Sequence, residues 1–122
     1  MKSDPKDCLY CQNNETLHNL MIEIAQLSVS RVFLFKEQTY RGRCLVSYKD
    51  HVNDLNELSD EDRNAFMADV ARVTRAMQKA FQPEKINYGA YSDKLSHLHF
   101  HLAPKYVDGP DYGGIFLSLI HI

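Results

Sequence analysis

The chain has 122 residues, 44% apolar and 25% charged, and carries a net charge of −2 at pH 7. That length and composition suit one domain with its own core. The charge excludes a basic nucleic-acid-binding surface, no apolar run approaches the ~20 residues of a membrane span, and the opening MKSDPKD lacks a signal-peptide core, so a cytoplasmic protein acting on a small molecule is expected.

Residues 1–18 are polar and read as irregular, apart from Cys8 and Cys11, a C-x-x-C pair that is a redox motif, half of a zinc site or coincidence. With no export signal, the three cysteines do not suggest a disulfide framework. A redox site is disfavoured because no β-α-β unit follows and no helix is predicted to start between the two thiols. A zinc site needs two more ligands, for which histidine is a common choice. Over 20–27, Met21, Glu23 and Ala25 alternate with Leu20, Ile22 and Ile24, which predicts a half-buried strand. Residues 31–35 and 43–48 predict two more strands, separated by the polar stretch 36–42, and together the three suggest an antiparallel meander. Cys44, inside CLVSY, reads as a small buried apolar residue.

The polar connection 49–57 leads into LSDEDRNAFMADVARVTRAMQKAFQP, whose acidic start suits a helix N-terminus capped by Ser59 or Asp60. Phe66, Val70, Val73, Met77 and Phe81 recur at steps of four, three, four and four. That spacing draws one apolar stripe along a helix of about six turns, from near residue 60 to 82, ended by Pro83. The stripe is read as core, because a sheet needs its apolar face covered; a partner-binding helix is the other reading. Strands are predicted over 86–91 and 97–103, around the turn-like 92–96.

The last of these strands contains HLHFHLAP. Strand side chains alternate between faces, so His97, His99 and His101 line one wall while Leu98, Phe100 and Leu102 face the core. A lone histidine on a strand is usually structural. Three at strict alternation add little packing and repel one another when protonated, so the row reads as a chemical site, imidazole being a base, nucleophile or metal ligand near neutral pH. A single catalytic metal held by all three is disfavoured: on a straight strand they span about 13 Å, too far for each to reach one ion at about 2 Å.

The pattern over 97–103 resembles the signature of the histidine triad (HIT) family of nucleotide hydrolases and transferases. Asn87, Tyr88 and Gly89 upstream, and Pro104, Lys105, Tyr106, Asp108 and Gly109 downstream, are similar to the flanks of one bacterial-type branch, and the likeness runs from Cys8 to Gly114. The resemblance implies an α+β fold, with an antiparallel sheet of about five strands and one long helix packed on it, in a single domain over 1–116. It also implies a homodimer. LSLIHI at 117–122 departs from the family's continuation and is expected to be non-native, so His121 takes no role.

By the same resemblance, His99 is the nucleophile that attacks the α-phosphorus of a nucleotide, and His101 stabilises charge or delivers a proton. Asn87 corresponds to a residue that binds phosphate or ribose oxygens, or is a plain turn asparagine. Glu37 is the nearest match to an acidic ribose ligand; Phe35 flanks the base or belongs to the core. The family's leaving-phosphate contacts fall on 92–96, where Asp93 or Lys94 substitutes, unless Lys94 is simply a solvated loop residue. Cys8, Cys11, His51 and His97 match the ligands of a closed, structural Cys2His2 zinc site. Two functions follow: a phosphoramidase or dinucleoside polyphosphate hydrolase working through a nucleotidyl-histidine, or a zinc-stabilised nucleotide-binding or interaction module with little turnover.

Overall fold

The computed structural model describes residues 5–91 and 97–114, so the predicted turn carrying Asp93 and Lys94 and the 117–122 tail lie outside the described residues. The N-terminal segment, expected to be irregular, holds a 3-10 turn (Pro5–Asp7) and two short helices, α1 (Leu9–Gln12) and α2 (Glu15–Leu20). Side-chain caps account for them. Cys8 Sγ accepts from the Cys11 N–H and Asn14 Oδ1 from the Thr16 N–H, each satisfying an amide that a helix start leaves without an intrahelical acceptor. The start of α1 therefore does fall between the two cysteines, contrary to expectation. The strand pairings among the described residues are all antiparallel, so no β-α-β unit accompanies it.

Strands β1 (Met21–Gln26), β2 (Ser30–Phe35), β3 (Cys44–Tyr48), β4 (Lys85–Gly89) and β5 (His99–Lys105) form one five-stranded sheet in the order β1-β2-β3-β5-β4. The first three make the predicted meander, and β5 inserts between β3 and β4. The long helix α3 (Asp60–Phe81) begins at Ser59, which accepts the Asp62 N–H, and ends at Gln82, whose φ of 51° is left-handed. The expected α+β plan of about five antiparallel strands and one long helix is the one observed.

Alternation gives the sheet two different faces. Val32, Val46 and Leu102 pack with Phe66, Val70, Val73 and Met77 of α3 in the main core, with Phe100 against them. Burial of each large apolar side chain here contributes roughly 2 kcal/mol. The opposite face buries Phe33, Phe35 and Leu45 against Cys8, Tyr10 and Leu17 of the N-terminal segment. No helix among the described residues is long and apolar enough to cross a membrane.

Three strands differ from expectation, among them β4, which ends at Gly89 rather than at 91. β1 is an edge strand with a register shift between Glu23 and Ala25. Only Met21 of it is buried, while Ile22 and Ile24 are 49% and 54% exposed. At this edge α3 covers the sheet incompletely, and an apolar groove lined by Ile24, Leu27, Val73 and Met77 runs between them. β5 starts at His99 rather than His97: Leu98 keeps one bond to β3, its carbonyl accepting the Tyr48 N–H, but its own N–H donates to the Val52 carbonyl, and the Tyr48 carbonyl takes the His97 ring instead.

Asp69 ties helix to sheet. Buried to 1% exposure, its carboxylate accepts from Ser28 Oγ (2.9 Å), the Val29 N–H (3.0 Å) and Ser30 Oγ (2.8 Å), pinning the β1–β2 connection onto α3. Asp69→Ala strands those donors and is expected to cost about 3 kcal/mol in urea unfolding, against about 1 kcal/mol for removing the helix cap with Ser59→Ala. Equal losses would show that Asp69 is not the tie.

Candidate active site

Residues opposite one another in a ladder share a face, and this rule assembles the site. Ser47 pairs with His99, Leu45 and Gly89 pair with His101, and Asn87 pairs with Ala103. His99 and His101 therefore stand on the sheet face away from α3, with Asn87 of β4 beside them. His97, His99 and His101 are all at most 2% exposed, with the His99 and His101 rings 5.0 Å apart. Tyr10 lies over the row, its ring centroid 5.1 Å from that of His97 and 5.4 Å from that of His99.

Each ring is set by a different bond. His99 Nδ1–H donates to the backbone carbonyl of His97 at 2.6 Å, so the lone pair of that imidazole is on Nε2. His97 Nε2–H donates to the Tyr48 carbonyl at 2.8 Å, so its lone pair is on Nδ1. Burial pushes His97 down to about 4, against the pull of the Tyr48 carbonyl, which leaves it neutral at pH 7. His101 Nδ1 meets a guanidinium nitrogen of Arg43 at 2.9 Å.

His97 also belongs to a second cluster. Its Nδ1 lies 3.2 Å from Cys8 Sγ and 3.6 Å from Cys11 Sγ, and His51 Nδ1 lies 3.4 Å from Cys11 Sγ. One donor atom from each of Cys8, Cys11, His51 and His97 falls within 4.8 Å of all the others. A tetrahedron with metal–sulfur bonds of ~2.3 Å and metal–nitrogen bonds of ~2.0 Å has sulfur–nitrogen edges of roughly 3.5 Å, so the spacing suits one tetrahedral cation. Partial desolvation, followed by the hydrogen bond and charge of Cys8, pushes the Cys11 thiol up.

The remaining sequence-derived residues fall in two groups. Glu37 is half-buried just past β2, where its carboxylate accepts from the Thr39 N–H at 2.8 Å and lies 3.8 Å from Arg43 Nη1. Phe35 is 1% exposed in the N-terminal core cluster, with the Arg43 guanidinium 4.4 Å above its ring, so it supports the site from beneath. Cys44 is buried on the helix side, as its apolar neighbours imply. Lys94 lies outside the described residues.

Two residues were missed from the sequence. Tyr10 stands between the paired cysteines, and an aromatic residue within a C-x-x-C pair carries no chemical signature. Arg43 did have a signal: it continues the Leu45, Ser47 alternation onto the triad face, yet a charged residue at a strand start normally reads as solvated.

Comparison with known proteins completes the description. A family model described as the HIT domain matches residues 14–108. The chain belongs to the HIT family. It is 32% identical over 89 residues to the adenosine 5'-monophosphoramidase of Schizosaccharomyces pombe, an alignment covering 69% of this chain and 64% of that protein. It is 27% identical over 89 residues to the protein hit of Bacillus subtilis, covering 69% and 61%. The chain thus spans less than two thirds of the length of either relative. Among solved structures, a histidine triad protein from Bradyrhizobium japonicum superposes with a TM-score of 0.78 at 19% identity, covering 88% of this chain and 80% of that one. A HIT family member from Bacillus subtilis gives 0.73 at 22% identity, covering 92% and 82%. These likenesses show the HIT fold.

The Tyr10 hydroxyl is buried with no hydrogen-bond partner among the described residues. Removing an unsatisfied buried hydroxyl is neutral or stabilising, whereas deleting the ring opens a cavity over the histidines. Thermal unfolding is expected to leave Tyr10→Phe within about 1 kcal/mol of the parent or above it, and to lower Tyr10→Ala by about 3 kcal/mol. A Tyr10→Phe loss as large as that of Tyr10→Ala would show that the hydroxyl is bonded after all.

Proposed function

We propose that this HIT protein is a nucleotide hydrolase or nucleotidyl transferase acting on purine nucleotide phosphoramidates or dinucleoside polyphosphates. The observation that carries the reading is the bond from His99 Nδ1–H to the His97 carbonyl, which leaves the Nε2 lone pair as the nucleophile. In the first step Nε2 bonds to the α-phosphorus while the phosphorus–nitrogen or phosphorus–oxygen bond to the leaving group breaks. The leaving group departs with a proton from His101, and the water of the next step returns one to it. Water then attacks the same phosphorus, the phosphorus–Nε2 bond breaks, and a nucleoside monophosphate is released with His99 restored. Splitting one displacement into two is the advantage of covalent catalysis.

The other residues take supporting roles in this reading. His101 faces the developing charge, Asn87 binds phosphate or ribose oxygens, Lys94 meets the leaving phosphate and Glu37 holds the ribose, while Phe35 supports Arg43 from the core. The name of the fission-yeast relative, an adenosine 5'-monophosphoramidase, supports the phosphoramidate class. We place the activity in the cytoplasm and in a homodimer. The position of β4 at the sheet edge, with Tyr88 54% exposed, suits such an assembly.

We also propose a structural zinc ion bound by Cys8, Cys11, His51 and His97. Four protein ligands close the coordination sphere, so the ion would fasten the N-terminal segment to the chain just before β5 and fix the carbonyl that orients His99. The Tyr48 carbonyl would orient the ligating ring by holding its other nitrogen.

Incubation with adenosine phosphoramidate or diadenosine tetraphosphate is expected to release AMP. His99→Ala should lower turnover by at least about a thousandfold and leave nucleotide affinity within a few-fold. Nucleotide binding without turnover in the parent protein would favour the binding-module reading. Metal analysis should find one zinc per chain, and Cys11→Ser should lose it together with several degrees of melting temperature. A metal-free protein of unchanged stability would end the zinc proposal.

A further inference from the structure

Arg43 has no assigned role, and its burial is unusual. The side chain is 0% exposed, and removing a guanidinium from water is costly unless what it contacts repays it. The backbone delivers it there firmly. Gly42 has a φ of 88°, and an added Cβ would come within 2.6 Å of the Phe81 ring, so only glycine suits the turn into β3. The Arg43 N–H donates to the Tyr40 carbonyl at 3.0 Å, and the Arg43 carbonyl accepts the Phe35 N–H at 3.2 Å. The guanidinium lies over the Phe35 ring, 3.8 Å from the Glu37 carboxylate and 2.9 Å from His101 Nδ1.

The chemistry of that last contact is decisive. A guanidinium has five N–H donors and no acceptor, so His101 Nδ1 must accept and carry a lone pair. The ring proton is then on Nε2. His99 is the reverse, with its proton on Nδ1 and its lone pair on Nε2. Two identical side chains with rings 5.0 Å apart on one strand are thereby held in opposite tautomers, one by a carbonyl and the other by a guanidinium.

We infer that Arg43 is a positioning residue that locks His101 as its Nε2–H tautomer, aiming a hydrogen-bond donor at the phosphate while His99 presents a lone pair. The inference rests on the nucleotidyl-transfer reading for its consequence, and on Arg43 and His101 alone for its geometry. Among the described residues, the titratable and charged groups recorded against His101 include His99 on β5, Arg43 before β3 with Glu37 behind it, and Tyr91 after β4, whose ring centroid is 6.1 Å away. Of these, only Arg43 is bonded to Nδ1 as an obligate donor. A hydrogen-bond donor aimed where negative charge grows lowers the barrier, whereas a lone pair there would raise it. Arg43 polarises the Nε2–H bond further through the ring.

The test is long-range proton–nitrogen correlation NMR on nucleotide-free protein labelled at the histidine ring nitrogens, with His101 assigned by its loss in His101→Gln. The expected spectrum has His101 Nδ1 in the unprotonated range and Nε2 in the protonated range. Arg43→Met should convert this to an averaged mixture of tautomers, and Arg43→Lys, which keeps a donor, should restore the Nε2–H form. In steady-state assays Arg43→Met should lower kcat at least about tenfold with KM within about threefold, and Arg43→Lys should recover part of the loss. A parent spectrum with the His101 proton on Nδ1 overturns the inference, even if no variant folds. An unchanged tautomer in Arg43→Met overturns it too. An Nε2–H tautomer without turnover would keep the assignment and end the hydrolase reading; turnover with an Nδ1–H His101 would do the opposite.

Discussion

The bond from His99 Nδ1 to the carbonyl of His97 is 2.6 Å long and sealed from solvent, and much of the molecule is arranged around keeping that carbonyl in place. A backbone acceptor can orient a neighbouring imidazole only if its own peptide is immobile. Here the chain at 97–98 is held from several sides. The Leu98 N–H is bonded to Val52, the Leu98 carbonyl takes the Tyr48 N–H, and the His97 ring reaches back to the Tyr48 carbonyl. Tyr10 closes over both rings. The departure of β5 from the ladder before His99 is thus part of the site: residues that left regular pairing are the ones that build its reference point.

The two faces of the sheet bury different kinds of side chain. On one face α3 and its apolar stripe supply the large core, anchored by Asp69. The other face buries polar groups, a cost that a fold accepts only where each finds a partner. Partners there are specific in kind. A carbonyl orients one histidine, a guanidinium another, and two thiols approach a third. Two short helices close this face, and Cys8, which caps α1, and Tyr10 within it reach the histidines directly.

Much of this was legible in the residues. The stripe from Phe66 to Met77 and the Ser59 cap define α3 because helix period and capping are local properties. The strict alternation of HLHFHLAP marks the candidate site because no packing requirement explains it. Cys8, Cys11, His51 and His97 come together as the family likeness implies, although no spacing rule relates position 11 to position 97. What was illegible depends on tertiary context. α1 and α2 are too short to have a period and exist through their caps. The exposure of Ile22 and Ile24 follows from an edge position that alternation does not reveal. Arg43 looks like a surface residue until the fold is seen to bury it against His101.

The central claim is that phosphorus becomes bonded to His99 Nε2, and it is tested most directly by trapping that species. Protein mixed with a slow adenosine phosphoramidate and quenched within milliseconds in alkaline denaturant, where a phosphorus–imidazole bond survives, can be digested and mapped by mass spectrometry. The account predicts one adenylyl group per active chain, on the peptide containing His99 and absent from His99→Ala. An adenylyl group on another side chain, or turnover with no adduct at any quench time, would contradict it.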